Sequence, residues 1–204
     1  MKKELPSSAA CVRNTEPIDQ VLKQYIQKGD LWEMGFATAQ HCQSLAPRYP
    51  NLTWYASDHT DYHWIFTERT RGIKNIQGPY CLWVKDQSFL NQLHQQNIQI
   101  QFDYFFTANT LHIMGAELAQ IFCQQVATIL KKDGVLFLYG PFKFEGQFTS
   151  ASNADFDQQL RSKNPKSGIC HFEDIARELK KAKVDFVHRH DLPAYNHVLV
   201  FKKA

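Results

Sequence analysis

Hydrophobic positions along the chain switch repeatedly between a helical and a strand period, which predicts an alternating α/β protein. Ile18, Val21, Leu22, Tyr25 and Ile26 fall at helical spacing. Thr15 is placed to cap that helix, Pro17 fits its first turn, and the helix ends at Gly29. Residues 1–14 read as mostly irregular. Leu31-Trp32-Glu33 is a short apolar strand closing on an acid, and Gly35 begins a tight turn into a helix over about 38–47, stopped by Pro47 and Pro50. Leu52 to Asp58 is rich in β-formers and reads as a second strand. Residues 60–71 are expected to be helical, Tyr80 to Val84 a third strand, and Ser88 to about Gln96 a short helix. Phe102 to Thr107 is almost continuously apolar, as a central parallel strand is. Leu118, Ile121, Phe122, Val126, Ile129 and Leu130 mark the buried face of a helix over 116–131, with Lys131, Lys132 and Gly134 at its C-terminal end. Val135 to Tyr139 is a fifth strand. Phe172, Ile175, Ala176, Leu179 and Ala182 give a last amphipathic helix, and two strands, about 184–190 and 196–202, follow it.

Strands alternating with helices imply a parallel sheet covered by helices on both faces. The link between the last two strands is too short for a parallel crossover, so these two are expected to pair antiparallel. Residues 142–170, helical only over about 153–161, form a long excursion of the kind that serves as a lid or substrate loop. The run from Leu31 to His41 has the layout of a ligand-binding first turn in an open α/β sheet. Only the first position of its Gly-x-Gly-x-Gly pattern is glycine. Ala37 and Ala39 stand at the other two, and the turn alone is as compatible with a plain buried strand-turn-helix.

Composition narrows the classes. The 204 residues suit a single domain over 1–204, and 44% hydrophobic with 21% charged residues is that of a soluble globular protein. No apolar run approaches the roughly 20 residues that span a bilayer, and none follows the basic N-terminus as a secretory signal requires. No membrane partner is therefore expected. A net charge of +3 from scattered Lys and Arg argues against nucleic acid. The five cysteines (Cys11, Cys42, Cys81, Cys123 and Cys170) are odd in number and form no Cys-x-x-Cys pair, which favours reduced thiols and a cytoplasmic location. His59 with His63, and His188 with His190, lack a neighbouring carboxylate or cysteine to complete a zinc set, so no metal is expected.

Several stretches combine into a more specific picture. They are Ala9 to Ile18, Leu52-Thr53-Trp54 running to Ser57-Asp58, Asn109-Thr110-Leu111-His112-Ile113, and Gly134 to Phe142. Further pieces are Thr149 to Asn153 running to Phe156-Asp157, Leu160-Arg161, Pro165, Gly168-Ile169 and Pro193-Ala194-Tyr195-Asn196. Together they resemble S-adenosylmethionine-dependent methyltransferases, and more narrowly the family called domain of unknown function 938, or methyltransferase-like 26. The resemblance implies a Rossmann-like class I methyltransferase fold: a mostly parallel seven-stranded sheet with an antiparallel last strand. By the same resemblance, Glu33, Gly35, Ala37 and Ala39 border the methionine and sugar of S-adenosylmethionine. Asp58 accepts from the ribose hydroxyls, and a carboxylate can accept from two at once. The acid that relatives carry near the end of strand three is Trp83 here, which makes Asp86 the substitute.

Asn109 and His112, beyond strand four, are the candidate catalytic pair. Asn109 would orient the nucleophile or the cofactor, and His112 would take up a proton near neutral pH. Tyr139 is a candidate wall. Ser152, Asn153 and Arg161 on the excursion, with Arg13 and Asn14 near the N-terminus, are candidate substrate contacts. Family members resemble Glu-x-x-x-Gly-x-Gly-Gln-His at the turn, so Ala37 and Ala39 replace glycines and Phe36 a small residue. A left-handed φ costs alanine about 1–2 kcal/mol. Two readings from different classes result: a methyltransferase of a small-molecule acceptor, or a non-catalytic ligand-binding or interaction protein on the same fold. An antiparallel last strand argues against a third, a nicotinamide-dependent oxidoreductase.

Overall fold

The computed structural model describes residues 4–84, 88–98 and 101–204. In chain order these form α1 (Ala9–Leu22), β1 (Gly29–Met34), α2 (Gln40–Leu45), β2 (Leu52–Ser57), α3 (His63–Arg69), β3 (Ile76–Tyr80), α4 (Phe89–Gln95) and β4 (Phe102–Ala108). Then follow α5 (Leu111–Met114), α6 (Ala116–Ile129), β5 (Leu130–Gly140), a small hairpin of β6 (Lys143–Phe144) and β7 (Gln147–Phe148), α7 (Ala151–Lys163), α8 (Phe172–Lys181), β8 (Val184–Leu192) and β9 (Asn196–Lys203). The main sheet has the order β3-β2-β1-β4-β5-β9-β8. Neighbours from β3 to β5 pair parallel, while β9 runs antiparallel to both β5 and β8. This is the Rossmann-like class I methyltransferase arrangement, and β9 is its reversed strand.

Because successive strand residues point to opposite faces, each central strand feeds two cores. Trp32, Phe105, Leu136 and Leu138 pack with Phe89, Phe122 and Leu179 of α4, α6 and α8. Leu31, Phe106 and Phe137 pack on the other face with Ile18, Leu22, Leu45 and Phe66 of α1, α2 and α3. Two-sided burial explains why the middles of β1 and β4 are apolar on both faces, as at Leu31-Trp32 and Tyr104-Phe105-Phe106.

Three boundaries differ from the sequence expectation. Helix α1 begins at Ala9, with Ser8 as its cap, and ends at Leu22 rather than Gly29, so residues 9–14 are helical, Thr15 is not the cap, Pro17 lies inside the helix, and Tyr25 and Ile26 follow it. The third strand is Ile76–Tyr80 rather than 80–84. The apolar run after Tyr80 finds backbone partners elsewhere, on side-chain amides of α4 and of the residue that ends it. Gln96 bonds both backbone groups of Cys81 (2.9 and 2.6 Å), and Gln92 bonds both of Trp83 (2.6 Å each). Lys131 and Lys132 belong to β5, not to the end of α6, and Lys131 reaches Asp103 at 2.8 Å. Among the described residues no helix is long and apolar enough to cross a membrane.

Candidate functional site

The C-terminal ends of β1, β2 and β4 meet at a turn whose backbone is held from two sides. Gly35 carries φ +83°, and a Cβ there would stand 2.6 Å from Thr110 Oγ1, so the β4 loop closes over the glycine. Only glycine fits both the dihedral and the approach. From the other side, Asp58 at the end of β2 accepts the Ala37 N–H on Oδ2 and the His59 N–H on Oδ1, each at 2.6 Å. Ala37 (φ +44°) and Ala39 (φ +55°) are both left-handed. These are the glycine positions of the pattern, and the chain adopts the glycine conformation with alanine. Phe36 does not fill the hollow: it is 4% exposed, with its ring 4.9 Å from Phe66.

Two adjoining cavities open on this turn. One, of about 340 Å³, is lined mainly by apolar side chains, Met34, Leu82, Trp83, Val84 and Leu118, together with His59. The other, of about 430 Å³, is lined by Glu33, Ala37, His41, Tyr62, Asn109 and Ile113, and by Ser8, Ala10 and Cys11 at the start of α1. Gly35, Asp58, Thr110 and Met114 line both, so Asp58 stands at the junction.

The polar groups around the junction have shifted proton affinities. Glu33 is 2% exposed and accepts the Trp54 indole N–H at 2.7 Å. Burial, with the Asp58 charge adding to it, pushes its carboxyl up to about 8, so it is protonated at neutral pH. Burial also raises Asp58, against the two N–H donors that favour its charge. His41 is held down to about 4 by burial, and its Nε2 is buried with no hydrogen-bond partner among the described residues. Asn109 is left-handed (φ +57°), with its N–H on the Tyr139 carbonyl at 2.8 Å.

The structure brings Glu33, Gly35, Ala37, Asp58 and Asn109 together on the cavity walls. Ala39 is fully buried behind them as the first residue before α2. Asp86 lies outside the described residues. His112 lines neither cavity: it is 5% exposed, its ring meets Phe156 at 5.2 Å, and burial lowers it to about 4. Tyr139 is buried beneath the loop. Arg13 and Asn14 follow the lining turn of α1 without lining either cavity.

The remaining candidates sit apart. Ser152 is exposed, with its hydroxyl 2.9 Å from that of Ser150. Asn153 gives its amide to Thr149 Oγ1 (2.8 Å) and to the Tyr195 carbonyl (3.2 Å). Arg161 pairs with Asp157 at 2.7 Å and lines a separate cavity of about 240 Å³ with Lys166 and His171. Sequence reasoning missed the walls formed by Ser8, Ala10 and Cys11 and by Leu82 and Val84. The signals were indirect: the resemblance covers Ala9 to Ile18 but singles out Arg13 and Asn14 there, and it implies an acid where Trp83 stands.

The fold has many solved counterparts. An O-methyltransferase family protein from Burkholderia thailandensis superposes with a TM-score of 0.78 at 14% identity, over 96% of this chain and 57% of that one. A putative O-methyltransferase from Nostoc punctiforme gives 0.77 at 15%, over 96% and 58%. Human N-acetylserotonin methyltransferase, solved in complex with SAM, gives 0.77 at 10%, over 96% and 53%. The chain thus spans a little over half the length of these proteins. Across residues 5–203 it matches one described family, and it belongs to that family: "Protein of unknown function (DUF938)".

Proposed function

We propose that the chain is an S-adenosylmethionine-dependent methyltransferase of a small-molecule acceptor. The observation that carries this reading is the position of Asp58, its carboxylate over the Gly35 turn where an apolar cavity meets a polar one. The residues fit an adenosyl sulfonium. Leu82, Trp83 and Val84 offer apolar faces to a base, and Asp58 keeps lone pairs for ribose hydroxyls beyond the two N–H donors it accepts. Glu33, Ala37 and the left-handed turn border the methionine end, and Asp86 remains the candidate beside adenine. The bound cofactor supplies an electrophilic methyl group on sulfur.

Asn109 is the side chain at the acceptor face. Its amide has no hydrogen-bond partner among the described residues, and a fixed backbone aims it, so it orients the nucleophile for in-line attack. His112, neutral at pH 7, serves behind it. Its carbonyl accepts the Gly168 N–H at 2.8 Å and its ring rests on Phe156, which fixes the loop from below. Arg13 and Asn14 follow the lining turn of α1 and Tyr139 lies beneath the Asn109 loop, while Ser152, Asn153 and Arg161 sit apart from both cavities.

Thermal melting tests the assignment, since a ligand bound only by the native state stabilises it. S-adenosylmethionine and S-adenosylhomocysteine are expected to raise the melting temperature, and a nicotinamide dinucleotide to leave it unchanged. No shift from either sulfur nucleotide at millimolar concentration sinks the reading. The strain at Ala37 and Ala39 favours the second reading, a binding protein without turnover. Stabilisation by S-adenosylhomocysteine, with no methyl release across broad acceptor panels, would move the assignment there.

A further inference from the structure

One wall of the larger cavity comes from a segment distant in sequence and weakly held. Ser8, Ala10 and Cys11 line the cavity, yet none of residues 4–14 is buried, and Val12 is 66% exposed. The second half of the same helix is different: Thr15, Ile18, Asp19, Val21 and Leu22 are buried, and Asp19 is tied to Arg48 and Tyr49. Pro17 lies just inside the buried half, two residues after Thr15. Without an N–H it leaves the Arg13 carbonyl with no helical donor, and its ring crowds that carbonyl, so α1 is weakest where burial stops.

Thr15 Oγ1 donates to the Cys11 carbonyl at 2.7 Å, and outside α1 the hydrogen bonds tying residues 4–14 to the rest of the described chain run to two side chains. Gln40 accepts the Ser8 N–H at 2.6 Å and donates to Ser7 Oγ (3.3 Å) and the Ser8 carbonyl (3.4 Å). Arg69 donates to the Pro6 carbonyl at 2.7 Å. Gln40 is the first residue of α2, directly after the Gly35–Ala39 turn, and also accepts from Thr38 Oγ1 at 2.9 Å. One of the two latches on the segment therefore stands directly behind the turn that lines the cavity.

We propose that residues 4–14 are a flap hinged at Pro17 and latched by Gln40, which closes the acceptor side of the cavity once the cofactor turn is occupied. This rests on the cofactor reading above for what fills the turn. Opening admits the ligands, and closure places Ala10 and Cys11 against the acceptor and excludes water from it. Gln40 is thus a positioning residue that couples cofactor occupancy to the flap, and binding is ordered, cofactor first.

Hydrogen–deuterium exchange on the full chain tests this. In ligand-free protein, amides of 4–14 are expected to exchange far faster than those of 15–22, and S-adenosylhomocysteine is expected to slow them. Gln40→Ala should speed exchange in 4–14 roughly tenfold and abolish the slowing by ligand, while 15–22 stays protected. Pro17→Ala, which restores the missing N–H, should slow exchange in 4–14 without ligand. Equal protection of 4–14 and 15–22 in the free protein, or unchanged exchange in Gln40→Ala, overturns the flap. Calorimetry separates the two ideas. If S-adenosylhomocysteine does not bind, the cofactor reading falls, and the ligand-free comparison of wild type, Gln40→Ala and Pro17→Ala still decides the flap.

Discussion

The turn after β1 and the segment over 142–170 both carry polar residues that the family resemblance singles out, yet they are built on opposite principles. In the second, the polar side chains satisfy one another. Asp157 accepts from Arg161 Nε and from the Ile169 N–H, each at 2.7 Å, with Lys143 at 3.8 Å. Asn153 ties the start of α7 to the link between β8 and β9, and Ser150 caps α7. In the first, hydrogen-bonding capacity is left over. Among the described residues the Asn109 amide has no partner and His41 Nε2 is buried and unpaired; Glu33 is a buried acid, and two alanines hold left-handed angles. Unspent polar capacity persists where a ligand repays it, and saturated networks hold shape. On the cofactor reading proposed above, the same motif-rich sequence divides into a binding edge and a brace.

The largest expected effect separates the two regions directly. Asp58→Ala removes the acceptor for the Ala37 and His59 N–H groups at the cavity junction. It should lower S-adenosylhomocysteine affinity at least about a hundredfold, the scale of a lost charged hydrogen-bonding group at a site. Asp157→Ala should leave that affinity alone and cost about 2 kcal/mol of stability, mainly because the buried Ile169 N–H loses its acceptor, while the half-exposed Arg161 is resolvated. Calorimetry and chemical denaturation on both variants test the contrast. Equal losses of affinity would erase the division.

The next effect is on pH dependence. Glu33 in the folded chain holds its proton up to about pH 8, against an ordinary value of 4.5. Between these values the folded state binds more protons than the unfolded state, so stability falls as pH rises. His41 and His112, lowered to about 4, act in the opposite sense below their ordinary 6.5. By pH 7 the unfolded histidines are mostly neutral, so from pH 7 to 8 Glu33 acts against a quiet background from these two. The wild type should lose about 1 kcal/mol over that window, the slope easing from about 1.4 kcal/mol per pH unit as Glu33 nears its midpoint. Glu33→Gln should flatten the profile there. Melting curves at several pH values check it, and an unchanged slope in the variant would mean that Glu33 is ionised in the fold.

How much of this was legible beforehand follows from where each signal lies. The apolar runs of β1, β4 and β5 and the stripe of α6 are local patterns, and each predicts its own element. Glu33, Gly35 and Asp58 were placed because a strand end in this topology is fixed by the strand itself. The β3 boundary was not legible, because the run from Cys81 to Val84 is apolar but its backbone is satisfied by Gln92 and Gln96 of a later helix. Pro17 read as a helix start because proline favours the first turn, and nothing local showed that Ser8 caps the helix two turns earlier. The walls from α1 and from Leu82 to Val84 meet the turn only through tertiary packing.

The smallest effect concerns the alanines themselves. Ala37 is exposed, lines the larger cavity and holds φ +44°. Replacing it with glycine removes about 1–2 kcal/mol of left-handed strain, against about 0.4–1 kcal/mol for the greater freedom of glycine in the unfolded chain. Ala37→Gly should therefore stabilise the protein by about 0.5–1 kcal/mol. Ala39 holds φ +55° but is fully buried, so Ala39→Gly also forfeits the burial of a methyl group, about 0.8 kcal/mol, and should come out near neutral. Because the Ala37 methyl faces the cavity, its removal also lets the backbone approach a ligand. S-adenosylhomocysteine should then bind a few times more tightly to Ala37→Gly and unchanged to Ala39→Gly. Denaturation and calorimetry on the two variants measure both differences. If Ala37→Gly is less stable than the wild type, the left-handed turn is not strained and the contrast between binding edge and brace loses its energetic half.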